Sequence, residues 1–195
     1  MAVGLGPFSL ERAVQAVEKV RQRLLRAANA LRAASVPYAI AGGNAVALWV
    51  SRVDESAVRN TRDVDVLLRR QDFAAAKAAL EAAGFVYRRA AGIEMFLDGP
   101  GATARQAVHV VFANKKVRPH EPLPSPDVSE SEEAAAFRVI ALDALVRVKL
   151  TAFRDKDRVH LRDLIEVGLV DVGWLEKLPA PLGERLSQLL DNPAG

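Results

Sequence analysis

Apolar residues recur at Leu10, Val14, Val17, Leu24, Ala28 and Leu31, at three-, four- and seven-residue spacings with Arg and Lys between them. That pattern predicts an amphipathic helix, with Ser9 placed to cap it. "VPYAIAGG" reads as a short buried strand breaking at Gly42-Gly43, and "NAVALWVSR" as a helix opening at Asn44. Residues 54–62 are polar and predict a loop. In "DVDVLLRR" aspartates alternate with valines, the period-two signature of a strand. "QDFAAAKAALEAAGF" predicts a helix closed by Gly84, and "FVYRRA", "IEMFL" and "QAVHVVFA" predict three further strands, the last two separated by the turn "DGPGATAR". "NKKVRPHEPLPSPD", with four prolines and no apolar period, predicts an extended connector. Beyond it "LDALVRVKLTAF", "DRVHLRDLIEVG" and "PLGERLSQLLD" predict helices. The expected class is α+β with an α/β-like start, a small mixed sheet flanked by helices. The expected organisation is a core over 1–113, a proline-rich connector over 114–130 and a helical subdomain over 131–195.

Composition narrows this picture only a little. A chain of 195 residues, half of them apolar, can bury one sizeable core or two closely docked ones. It has no cysteine, which excludes disulfides, thiolate metal sites and a cysteine nucleophile, and makes the cytoplasm the default expectation. The first twenty residues lack a basic segment followed by an apolar run, and no stretch approaches the roughly 18 apolar residues of a membrane span. A net charge of +3 with a pI near 9.4 permits nucleic-acid binding, yet is far from a basic arm.

The chemistry is concentrated in residues 41–68. Asp63 and Asp65 alternate on a strand, so their Cα atoms stand roughly 6.5–7 Å apart on one face. Oxygen-only ligands of this kind suit Mg²⁺, which keeps several waters and is completed by substrate phosphates. The Gly42-Gly43-Asn44 corner, at a strand-to-helix junction, can hold such a phosphate through close backbone approach and free N–H groups. Each feature alone has a plainer reading, a tight turn and a solvated strand edge; together and in this order they point to a phosphate–metal site.

"AGGNAVALW" followed by "RNTRDVDVLL" resembles the Gly-Gly and Arg-x-Thr-x-Asp-x-Asp pattern of the nucleotidyltransferase superfamily, with its polymerase-beta-like minimal fold, and of its bacterial toxin and antitoxin branches in particular. "VRVKLTAFRDKDRVHLRDL" is similar to the Lys-containing helix and following segment that many such proteins carry after the core. The resemblance spans about residues 36–168. It implies that Gly42 and Gly43 hold nucleotide phosphates, that Asp63 and Asp65 bind Mg²⁺, and that Arg59 and Thr61 brace the metal loop or touch phosphate. It also implies that Lys149 reaches the triphosphate from the helical side. The implied reaction is attack of an acceptor hydroxyl on the α-phosphorus of an NTP, with release of pyrophosphate. The acceptor would be a protein, an RNA end or a small molecule, and the bacterial branches imply a cognate toxin or antitoxin partner, with no membrane involved.

One position departs from the family pattern. Active members carry a third carboxylate on a later strand, where "AVHVVFA" places His109. An imidazole can serve as a base near neutral pH but cannot supply a carboxylate's charge. Three outcomes stay open: His109 is the base, Glu94 or Asp98 substitutes for the missing acid, or the site binds nucleotide without turnover and the protein is a nucleotide- or protein-binding module. An RNA-binding protein using the basic helical lobe is a further reading. Asp157, His160 and Asp163 lie at three-residue spacings that suggest a second metal site; pairing of the two aspartates with Arg154, Lys156 or Arg158, holding those cations towards the cleft, is the alternative. Trp49 and Trp174 are expected in the core.

Overall fold

The computed structural model describes residues 9–192. Helix α1 (Leu10–Ala33) begins where expected, with the Ser9 hydroxyl accepting a hydrogen bond from the Arg12 N–H. It leads into β1 (Tyr38–Ala41) and α2 (Gly42–Ser51), then β2 (Val64–Leu68), α3 (Phe73–Ala82), β3 (Val86–Ala90), β4 (Ile93–Leu97) and β5 (Ala107–Phe112). After the proline-rich segment come β6 (Ser131–Glu133), β7 (Arg138–Ile140), α4 (Leu142–Ala152), α5 (Asp155–Glu166) and α6 (Ala180–Asp191).

Among the described residues the strands form one mixed sheet in the order β3-β4-β5-β2-β1-β7-β6. β1 runs antiparallel to β2 and parallel to β7, and β2 runs parallel to β5. Strand alternation sends Tyr38, Ile40, Val64, Val66, Val108, Val110 and Phe96 to one face, where they pack with Leu24 and Leu31 of α1 and Ala76 and Leu80 of α3. Around the β1–β7 side, α2, α4, α5 and α6 build a second core from Trp49, Leu145, Leu150, Leu161, Leu164, Leu182 and Leu186. Trp49 is buried there with its indole N–H donating to the Ile140 carbonyl, while Trp174 packs at the edge.

Four details differ from the sequence reading. α2 opens at Gly42 rather than Asn44, so both glycines belong to its first turn. The first turns of α1 leave Leu10, Val14 and Val17 exposed, since the helix contributes to the core only from about Leu24. The proline-rich segment is not an open extended strap: the Ser125 N–H donates to the Lys115 carbonyl and the Asn114 N–H to the Ser125 carbonyl, so it closes on itself. Residues 131–140, expected at the start of a helical region, form the β6–β7 hairpin, which joins the last third of the chain to the sheet through Ile40 and Val139.

Candidate active site

Asp65 sits in mid-sheet, opposite Ala41 of β1 on one side and His109 of β5 on the other. Met95 of β4 continues the row beyond His109. Asp63 lies just ahead of β2 and, two residues away, shares the face of Asp65. The position of Gly42 follows from this geometry. Its φ is +66°, and a Cβ there would come 1.9 Å from Asp65 Oδ2. Only a glycine permits both the backbone conformation and the approach of the carboxylate to the start of α2. Gly43 is pressed against the loop before β2 in the same way, since its Cβ would meet Thr61 Oγ1 at 2.7 Å. The Asn44 side-chain amide donates to the Asp63 carbonyl at 2.7 Å, tying the helix start to the loop.

The structure thus brings Gly42, Gly43, Asn44, Thr61, Asp63, Asp65 and His109 together. Two other predicted residues give their hydrogen bonds to side chains of α5. Arg59 donates through Nε to Asp163 of α5 at 2.7 Å. Lys149 of α4, only 3 % exposed, is held between Asp157 Oδ1 at 3.1 Å and His160 Nδ1 at 2.9 Å. Asp157 also accepts from Arg154, and its carboxylate is the centre of a buried ion cluster. These pairings occupy the three residues suggested as a second metal site. Asp157 pairs with Arg154 as the alternative had it, whereas Asp163 takes Arg59 from the segment before β2.

His109 donates from Nε2 to the Ala104 carbonyl at 3.1 Å, because a carbonyl can only accept. Its Nδ1 therefore carries the lone pair in the neutral ring and faces Asp65 Oδ1 at 3.9 Å. Glu94 and Asp98 do not replace the absent carboxylate. Glu94 lies on the other face of β4 from Met95, takes the Tyr87 hydroxyl at 2.6 Å and pairs with Arg70 and Arg89. Asp98 is bound by Arg23 and Arg26 of α1.

Burial pushes the Asp65 carboxyl above the usual carboxylate range; Lys149, His109 and Lys156 pull it down and Asp63 adds to the rise. Among the described residues neither Asp63 nor Asp65 accepts a side-chain hydrogen bond at its carboxylate. Their ion-pair partners, Lys156 for Asp63 and His109 for Asp65, stand off at 3.9 Å. Two carboxylates with free lone pairs, 40 % and 24 % exposed, fit a hard divalent cation. Among the described residues no cluster of three His, Asp or Glu side chains is assembled around one point. Asp63 and Asp65 could supply two oxygen ligands to a divalent cation whose other positions are filled by water and phosphate.

Arg23 was missed from the sequence. It is buried, donates to Asp98 at 3.0 Å and to the Arg62 carbonyl at 3.2 Å, and so fixes the backbone immediately before Asp63. It lies beside the apolar stripe of α1, where nothing in the periodicity marks it. Among the described residues no helix is long and apolar enough to cross a membrane.

Neither a family model nor a curated protein matches the sequence. Solved structures do match in three dimensions. An antigenic nucleotidyltransferase-like protein from Paracoccidioides brasiliensis superposes with a TM-score of 0.58 at 18% identity, covering 90% of this chain and 89% of that one. The antibiotic-resistance factor ANT(2″)-Ia, in complex with adenylyl-2″-tobramycin, matches at 0.53 and 15% identity over 90% of this chain and 98% of its own. Its solution structure matches at 0.52 and 15% identity over 93% and 96%. With a mixed sheet that sets a glycine-opened helix against two alternating aspartates, the chain has the nucleotidyltransferase fold.

Proposed function

We propose that the protein transfers a nucleoside monophosphate from an NTP to an acceptor hydroxyl. The observation that carries this reading is the seating of the Asp65 carboxylate against Gly42, beside Asp63, at the open start of α2. Asp63 and Asp65 would hold Mg²⁺, which when bound neutralises phosphate charge and favours the leaving pyrophosphate. The N–H groups of the first turn of α2 favour an anion next to the carboxylates. Lys156 and Lys149 place positive charge on the helical side, where the triphosphate tail would lie.

In the step itself the acceptor oxygen forms a bond to the α-phosphorus, the bond from that phosphorus to the α,β-bridging oxygen breaks, and pyrophosphate leaves with the electron pair. The acceptor proton passes to His109 Nδ1, the nitrogen left free by the Ala104 carbonyl. Much of the rate then rests on positioning and charge rather than on covalent chemistry. Candidate acceptors are a small-molecule hydroxyl, as the adenylyl-tobramycin complex of ANT(2″)-Ia illustrates, a protein side chain and an RNA 3′ end.

The test is transfer of label from α-labelled NTPs to these acceptor classes, with pyrophosphate followed in parallel. Wild-type transfer lost in Asp63→Ala/Asp65→Ala supports the enzyme. The histidine in place of a carboxylate favours a second reading, a nucleotide-binding module. Metal-dependent NTP binding with no pyrophosphate from any acceptor, unaltered in His109→Ala, would favour the module and overturn the enzyme.

A further inference from the structure

Three side chains of α5 share one face at four- and three-residue spacing: Lys156, His160 and Asp163. Lys156 reaches Asp63 and Asp163 binds Arg59, so both ends of this row rest on the metal loop, with His160 between them. Behind the ring, the Lys149 ammonium lies 2.9 Å from Nδ1. An ammonium can only donate, so Nδ1 must be the acceptor and the ring proton must sit on Nε2. That outer N–H has no hydrogen-bond partner among the described residues, although the ring is partly open to solvent.

Resting on the nucleotidyl-transfer reading, we infer that His160 Nε2–H is a direct donor to the triphosphate tail of the nucleotide, and that Lys149 is a positioning residue that fixes the ring and polarises it. Lys149 is poorly suited to touch phosphate itself. Its ammonium is buried, two of its three donors are engaged by Asp157 and His160, and reaching outwards would leave Arg154 as the one charged partner of the Asp157 carboxylate, which is 1 % exposed. The ring faces Lys149 of α4, Asp157 and Lys156 of its own helix, and Arg59 of the metal loop. Burial first, and the Lys149 charge second, push its pKa down to about 4, so it stays a neutral donor at physiological pH. A neutral ring held this way delivers a fixed, polarised N–H while the lysine contributes its field from behind.

The two ring nitrogens can be tested separately, because an Asn amide stands near the Nδ1 position and a Gln amide near Nε2. The probes are Mg²⁺ with tripolyphosphate, which is independent of the base, and Mg²⁺ with each of the four common NTPs, with binding read by calorimetry. His160→Asn keeps an acceptor for Lys149 and removes the outer donor. It should weaken binding roughly tenfold, the size of one lost hydrogen bond to a charged group. His160→Gln, which returns a donor to the outer position, should recover most of that loss. In the wild type, long-range ¹H–¹⁵N spectra of the imidazole rings should show the His160 proton on Nε2. Wild-type affinity in His160→Asn, no recovery in His160→Gln, or a proton on Nδ1 would each overturn the inference while leaving nucleotide binding itself intact. A wild type that binds none of the probes would instead overturn the transfer reading beneath it.

Discussion

Gly42 answers two demands at once, a left-handed backbone and room for a carboxylate oxygen where any other residue has its Cβ. Gly42→Ala should therefore displace Asp65. The expected result is loss of metal-dependent nucleotide binding together with at least about 1–2 kcal/mol of stability, measured by calorimetry and urea unfolding. His160 sets a pH dependence whose sign can be worked out. Its folded pKa, about 4, lies below the ordinary 6.5, so the unfolded chain binds more protons between those values and stability falls as pH drops. From pH 7 to 5 the wild type should lose up to about 2 kcal/mol relative to His160→Asn, whose side chain does not titrate, and less to the extent that solvent screens the half-open ring. Equal losses in the two proteins would remove His160 from the account. The glycines and aspartates were legible in the sequence because their chemistry is local, carried by spacings of one and two residues. The partners of Lys149, and the buried Arg23 under the metal loop, depend on which elements the fold brings together, and no spacing along the chain encodes that.

The helices were read well because each has a face long enough to show its period, and α1 carries its start signal in Ser9. Its end is less favourable. Ser35, exposed, takes φ of +53° in the turn that closes α1, where the Val36 N–H returns to the Leu31 carbonyl. Ser35→Gly should stabilise the protein by about 0.5–1 kcal/mol, the left-handed cost outweighing the extra entropy of glycine in the unfolded chain. Urea midpoints of the two proteins at equal slope give the answer. β6 and β7 escaped the sequence reading for a different reason. Three residues are too few to establish an alternation, and their identity as strands comes from pairing with each other and with β1.

That pairing bears on how the molecule behaves as a unit. The core around Trp49 draws side chains from α2 near the start of the chain and from α4, α5 and α6 near its end, and β7 docks directly on β1. Although the sequence suggested a core and an appended helical lobe, a division that would allow separate melting, one cooperative transition is expected. Far-ultraviolet dichroism and the fluorescence of Trp49 and Trp174 should trace the same unfolding curve; two separated midpoints would restore the two-domain view. The order of strands also has a consequence for synthesis. The β2 carboxylates leave the ribosome well before the lysines of α4 and α5, a delay of roughly 5–20 s at common elongation rates. Throughout that interval the nascent chain holds Asp63 and Asp65 without the cations that will face them. The activity proposed for the finished protein is thus withheld from a chain still attached to its own messenger, and a truncated product of interrupted translation would be silent.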